Sequence, residues 1–257
     1  MASLLKIEAR GLTDVGQRRD HNEDAFLVDE ALGLFIVADG MGGHAGGGTA
    51  SRLAVDTMRR AVSEAKDAHP ELFQPAGELE DGGLPDVLRG AIDAACAQIY
   101  RTAQGDADLA GMGTTVTAAL VNGSTAFVVH VGDSRCYLVR GGRIYQVSED
   151  HSLVNEQLKA GAISAEEARN SRFKNIITRS VGFEQQVQAD LMGLDLEPDD
   201  ALVICCDGLS NLVDDPEILH IVEESDLEVA PGRLVALAND RGGDDNITVI
   251  VIQATTA

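Results

Sequence analysis

Apolar residues in this chain follow two spacings. Short uninterrupted runs such as Leu34–Ala38 and Ala201–Cys206 have the length and continuity of strands buried on both faces. Elsewhere the apolar positions recur every three to four residues. Ala50, Leu53, Ala54, Met58, Ala61, Val62 and Ala65 predict an amphipathic helix from Thr49 to about Ala65. A second helix runs through Leu84, Leu88, Ala91, Ile92, Ala95 and Ile99. Between them, residues 66–83 carry Pro70, Pro75, Gly77, Gly82 and Gly83 and read as a loop.

The middle of the chain is the clearest β region. Thr114–Val121 and Thr125–Val131 flank Asn122-Gly123-Ser124, and Cys136–Arg140 and Ile144–Val147 flank Gly141-Gly142, so both read as hairpins. Ala25–Val28 and Gly33–Ala38 are strand-like runs near the start; residues 187–191, 201–206 and Ile247–Ile252 follow later. Residues 151–170 are polar and helical, and Pro216–Glu224 and Pro231–Asn239 suit helices with proline in the first turn. The strict βαβ rhythm of a parallel sheet is missing. The pattern predicts an α+β layered fold, in one domain over residues 1–257.

Composition sharpens this picture. With 257 residues, 44% of them hydrophobic, there is enough apolar material for one sizeable core, and no run reaches the roughly 18–20 residues of a membrane span. The start of the chain has no signal-peptide pattern. Four cysteines (Cys96, Cys136, Cys205, Cys206) lack zinc-type spacing and fit reduced, buried thiols of a cytoplasmic protein; no long exposed apolar stripe argues against a monomer. Twenty basic against 42 acidic residues give a net charge of −22, which repels nucleic acid and anionic membrane. The carboxylate excess is either a solvated acidic surface or a set of sites for divalent cations. Placement has to decide.

Four segments share one grammar, an Asp beside Gly or Asn at the end of an apolar run. They are FIVADG (Asp39-Gly40), FVVHVGDS (Asp133), LVICCDG (Asp207) and GGDDN (Asp245), the last preceding its run. Any one Asp-Gly pair reads as a turn. A sheet delivering all four to one rim would cluster carboxylates that repel unless a cation supplies countercharge. Oxygen donors without histidine or cysteine suit Mg²⁺ or Mn²⁺. Whether the four meet is open at this level.

Six stretches in order carry a resemblance: TDVGQRRDHNED (13–24), VADGMGGHAGG (37–47), GMGTTVTA (111–118), HVGDSRCYLVR (130–140), CCDGLSN (205–211) and GGDDNITVIV (242–251). Together they resemble the metal-dependent, type-2C protein phosphatases in their bacterial branch. That resemblance implies an αββα sandwich of two antiparallel sheets flanked by helices. It also implies Mn²⁺ or Mg²⁺, two ions with a third, weaker site, and hydrolysis of phosphoserine and phosphothreonine by a metal-bridging hydroxide. The substrates would be phosphorylated proteins, with a Ser/Thr kinase acting in opposition; the alternative is an idle relative that only binds phosphoproteins.

Residue by residue, the resemblance makes Asp39 the bridging carboxylate and Gly40 a carbonyl donor. Asp207 and Asp245 become ligands of the first cation, and Asp133 a ligand of the third, shared with Asp207. Glu23 and Asp24 bind the second cation or hold its waters, and Arg19 grips the phosphate. The bland alternative to Arg19 is its neighbour Arg18. Animal and plant members carry histidine directly after the Asp-Gly pair; this chain has Met41 there, and His44 either acts as general acid or orders the glycine-rich turn. The run Gly46-Gly47-Gly48 is expected to loosen the helix start. His151 to about Phe173 matches a mobile flap, with Ser164-x-x-Glu167 as a helix cap and Arg169, Arg172 and Lys174 available to a substrate.

Overall fold

The computed structural model describes residues 5–42, 46–74, 83–169 and 171–256. His44 falls outside the described residues, as does the side chain of Arg169. In chain order the strands are β1 Leu5–Asp14, β2 Asp24–Asp29, β3 Leu34–Met41, β4 Gly113–Thr114, β5 Val116–Asn122 and β6 Thr125–Val131. They continue with β7 Arg135–Arg140, β8 Arg143–Gln146, β9 Asp190–Asp195, β10 Ala201–Cys205 and β11 Ile247–Thr256. The helices are α1 Gly46–Ala68, α2 Leu84–Gly105, α3 Leu153–Lys159, α4 Ala165–Arg169, α5 Asp207–Ser210, α6 Asp215–Glu223 and α7 Ala230–Asp240.

The strands form two antiparallel sheets, ordered β1-β11-β10-β7-β8 and β2-β3-β5-β6-β9, with β4 pairing β3. Strand alternation sorts the apolar runs into three packed layers. In β3, Leu34, Ile36 and Ala38 face α1 and α2, while Phe35 and Val37 face the other sheet. In β11, Ile247, Val249 and Val251 pack toward α6 and α7, while Ile250 and Ile252 point inward. Continuous apolar strands are what burial on both faces demands. The result is the expected sandwich, helices outside two sheets. Cys205 and Cys206 lie in different layers, and all four cysteines are free and buried.

Both expected hairpins form, at Gly123-Ser124 and at Gly141-Gly142. Four boundaries differ from expectation. β1 was not legible as a strand, yet it pairs with β11 over ten residues. β9 begins at Asp190 rather than 187, where pairing with β6 starts. The 66–83 stretch contributes three residues to α1 and a 3₁₀ turn at Pro70–Phe73. Finally, α1 starts at Gly46, so the glycine run is its first turn. The cause is packing: a Cβ at Gly47 would lie 2.8 Å from the carbonyl of Gly40, so only a glycine lets the helix approach β3 this closely.

Candidate active site

The site lies where the chain crosses between the sheets. Residues 15–23 carry it from β1 to β2, and Gly132-Asp133-Ser134 carry it from β6 to β7. Asp39 and Gly40, near the end of β3, lie on the same rim. Antiparallel pairing of β10 with β11 puts Asp207, just past one strand, beside Asp245, just before the other. A cleft of about 620 Å³ opens there, lined by Arg19, Glu23, Asp39, Gly40, Asp133, Asp207 and Asp245. The eighth expected residue, Asp24, does not line it. It is buried behind, the register partner of Asp39 across β2 and β3.

Backbone and hydroxyl groups fix these side chains. The Asp39 amide donates to Thr115 Oγ1 at 3.0 Å, and its carbonyl accepts from the Thr115 amide at 2.8 Å and Thr114 Oγ1 at 2.9 Å. The Glu23 carbonyl accepts from Ser51 Oγ at 2.6 Å. Asn22 Nδ2 donates to Thr13 Oγ1 at 2.8 Å, and Thr13 Oγ1 lies 2.7 Å from Thr248 Oγ1. Thr248 Oγ1 in turn donates to Asp24 Oδ2. The single Thr248 hydroxyl proton goes to Asp24, so Thr13 donates to Thr248 and both hydroxyls point their protons along this chain toward Asp24. At Gly40 a Cβ would lie 2.1 Å from the Gly47 carbonyl, which makes glycine obligatory.

The carboxylates strain against one another. Burial, and then the charges of Asp24, Asp207, Asp133 and Asp245, hold Asp39 well above the usual carboxylate range. Asp24 is pushed up to about 7 by burial, with Thr248 opposing and Asp207 and Asp245 adding to the rise. Asp133 reaches about 7 by burial and the charges of Asp207 and Asp150. Burial also raises Asp207 and Glu23, assisted by Asp245 at both and offset by Arg19. Such a cluster is favourable only with added positive charge.

Divalent cations fit this donor set. Asp24 Oδ1 is the one buried side-chain polar atom without a hydrogen-bond partner among the described residues, and the Asp24 carboxylate comes within 4.8 Å of that of Asp39. Glu23, Asp39, Asp133, Asp207 and Asp245 supply hard oxygen donors, the chemistry of Mg²⁺ and Mn²⁺. Cys206 Sγ lies within 4.8 Å of Asp24 and Asp39. Burial holds its thiol protonated, and it donates to the Asn246 carbonyl at 3.3 Å while accepting from the Thr248 amide at 3.0 Å. In the metal-free protein it packs as a neutral thiol.

Both Arg18 and Arg19 line the cleft; Arg19 Nη2 bonds Asp245 Oδ2 at 2.6 Å, whereas the Arg18 guanidinium lies 3.9 Å from the exposed Asp244. The segment after His151 joins the cleft wall where Ser152 pairs with Ile177. Ser164 and Glu167 form the expected cap at 2.8 and 3.2 Å, Asn175 and Ile177 line the cleft wall, and Arg172 stacks on Phe173. Thr115, Asn246 and Thr248 were not singled out from sequence, although each sits inside a motif that carried the resemblance.

The family pattern described as protein phosphatase 2C matches residues 15–230. A serine/threonine phosphatase, stp, of Listeria welshimeri is 39% identical over 245 residues, covering 94% of this chain and 93% of that one. The crystal structure of the Mycobacterium tuberculosis serine/threonine phosphatase PstP/Ppp superposes with a TM-score of 0.86 at 32% identity, covering 97% of this chain and 99% of that one. A structure of the PstP catalytic domain in complex with two manganese ions gives a TM-score of 0.83 at 32% identity, covering 98% and 100%. With the fold, the carboxylate rim and these similarities in agreement, the chain belongs to the protein phosphatase 2C family.

Proposed function

We propose that the protein hydrolyses phosphoserine and phosphothreonine esters on other proteins with two divalent cations, Mn²⁺ or Mg²⁺, held on the carboxylate rim. The observation that carries this is the convergence on one cleft of Arg19, Glu23, Asp39, Gly40, Asp133, Asp207 and Asp245, drawn from segments up to 226 residues apart. Asp39 would be shared by both cations, with the Gly40 carbonyl as a further donor. Asp207 and Asp245 would hold the first, and Glu23 the second, with Asp24 behind it to order water. Asp133 with Asp207 would hold a third, more weakly.

When bound, the cations lower the pKa of water and offset phosphate charge. The protein's own groups do the rest. Arg19, half exposed at the rim, turns from Asp245 to grip two phosphate oxygens. Asn175 and Ile177 form the wall against which the peptide rests. The acidic surface disfavours nucleic acid, and among the described residues no helix is long and apolar enough to cross a membrane. The setting we propose is the cytoplasm, where this domain, as a monomer, removes phosphate added by Ser/Thr kinases.

The test is hydrolysis of matched phosphoserine, phosphothreonine and phosphotyrosine peptides with Mn²⁺ and with chelator. Release from the first two that chelator abolishes is expected. Equal rates on all three peptides, or no release with Mn²⁺, would sink the proposal.

A further inference from the structure

Asn246 follows Asp245 directly and is buried, 6% exposed. Its side chain reaches across the fold to the segment that carries Arg19 and Glu23. Asn246 Oδ1 accepts from the Glu23 amide at 2.8 Å, and Nδ2 donates to the carbonyls of Val15 at 2.9 Å and His21 at 3.0 Å. A side-chain amide has one carbonyl and two N–H donors. All are used, and only one orientation works, because a backbone amide needs oxygen and the two carbonyls need N–H.

These bonds fall at both ends of residues 15–23, which have no helix or strand of their own. The other backbone ties are the Gln17 amide to the Gly243 carbonyl at 2.7 Å, the Gly16 amide to Asp14 Oδ1 at 2.8 Å and Ser51 to the Glu23 carbonyl, and the Gln17 and Asn22 side chains donate to Asn239 Oδ1 and Thr13 Oγ1. Among the described residues, the Asn246 bond to His21 is the one hydrogen bond to the backbone of Arg18 to His21, the tip that bears Arg19. The same short stretch thus presents Asp245 to the rim and sets where Arg19 meets it. Loss of a buried amide with three partners also leaves three polar groups unpaired.

We propose that Asn246 is a positioning residue that fixes the 15–23 crossing, so that Arg19 and Glu23 face the carboxylate rim in the geometry the reaction uses. Its kinetic consequence rests on the phosphatase proposal; the anchoring itself does not.

The test pairs Asn246→Ala with Asn246→Asp. The aspartate keeps the shape and the acceptor for the Glu23 amide but loses both donors. Hydrogen exchange is read on metal-free protein. The alanine variant should exchange roughly tenfold or more faster across 15–23, a factor of ten being about 1.4 kcal/mol. In the aspartate variant the Glu23 amide should stay protected while the tip loosens, and β10 and β11 should match wild type in both. Uniform acceleration that includes β10 and β11, or no change at 15–23, overturns the proposal, and the aspartate variant decides if the alanine variant does not fold.

Kinetics on p-nitrophenyl phosphate with saturating Mn²⁺ add a second arm. Adding Asn246→Ala to Arg19→Ala should cost less than about twofold in kcat/KM, although Asn246→Ala alone costs about tenfold or more, since coupled sites are not additive. Additive losses overturn the link to Arg19. A wild-type protein inactive on this substrate counts against the phosphatase proposal, while the exchange pattern still tests the anchor.

Discussion

Arg19 Nη2 and Asp245 Oδ2 lie 2.6 Å apart, so the cation proposed to grip phosphate is paired with a carboxylate proposed to hold a metal. The arginine side chain is 51% exposed, and a pair this open contributes only about 0–1 kcal/mol. It is easily exchanged for a phosphate group. Arg19→Ala should therefore lower kcat/KM on a phosphopeptide by about 10²-fold, the scale of a lost transition-state donor. Mn²⁺ affinity should shift by less than about fivefold, the equivalent of roughly 1 kcal/mol. Steady-state kinetics beside calorimetric Mn²⁺ titration check both, and an undiminished kcat/KM would remove Arg19 from the site.

The strained carboxylates give the metal-free protein a distinctive pH response. Asp24 and Asp133 titrate near 7 when folded and near 4 when unfolded. Between those values the folded state binds more protons, so stability falls as pH rises from about 4 to about 7. The penalty is absent below the unfolded pKa and complete above the folded one. Thermal melts of chelator-stripped protein should drop across that window, and Mn²⁺ at pH 7.5 should raise the Tm by more than about 4 °C, the equivalent of roughly 1–2 kcal/mol. A flat pH profile with no metal response would count against the clustered carboxylates.

Gly40→Ala should damage both the fold and the site. Its new Cβ would lie 2.1 Å from the Gly47 carbonyl and 2.5 Å from that of Glu23, both backbone atoms that cannot swing aside. The end of β3 would have to part from α1. A loss of about 2 kcal/mol or more is expected, which lowers Tm by roughly 4–8 °C. Loss of Mn²⁺ affinity should accompany it, and melts together with Mn²⁺ titration check the pair of effects.

Arg135, the first residue of β7, offsets part of the rise at Asp133 with its charge. It grips Asp150 with Nε at 2.9 Å and Nη2 at 2.6 Å, and Nη1 reaches Tyr137 at 3.1 Å. Both partners are largely buried, so Arg135→Ala leaves the Asp150 charge uncompensated at a cost of about 3 kcal/mol or more. Chemical denaturation should show that loss, while Arg135→Ala with Asp150→Ala together should recover part of it.

The amphipathic helices, the two hairpins and the Asp-terminated runs were legible because each is written in local spacing. Convergence was not, since Asp39, Asp133, Asp207 and Asp245 meet only through the antiparallel order of two sheets. β1 was missed for a related reason. Leu5, Ile7 and Ala9 alternate with Lys6, Glu8 and Arg10, but the signal is short, and pairing with β11 at the other end of the chain makes it a strand. The glycine run misled in the opposite direction. Local propensity opposes a helix at Gly46-Gly47-Gly48, and close packing on Gly40 overrides it. Asn246 and Thr248 carry no sequence signal of their own beyond their motif; their roles appear only as hydrogen bonds to residues more than 220 positions away.

The most direct measurement is phosphate release from a phosphothreonine peptide by chelator-stripped protein as Mn²⁺ is titrated back, with Asp39→Asn assayed in parallel. A metal-dependent phosphatase built on this rim releases no phosphate when stripped and recovers as Mn²⁺ binds. Asp39→Asn should stay below about one hundredth of wild type, a loss on the scale of removing one main electrostatic group. Full release from the stripped protein, or wild-type recovery in Asp39→Asn, would contradict it.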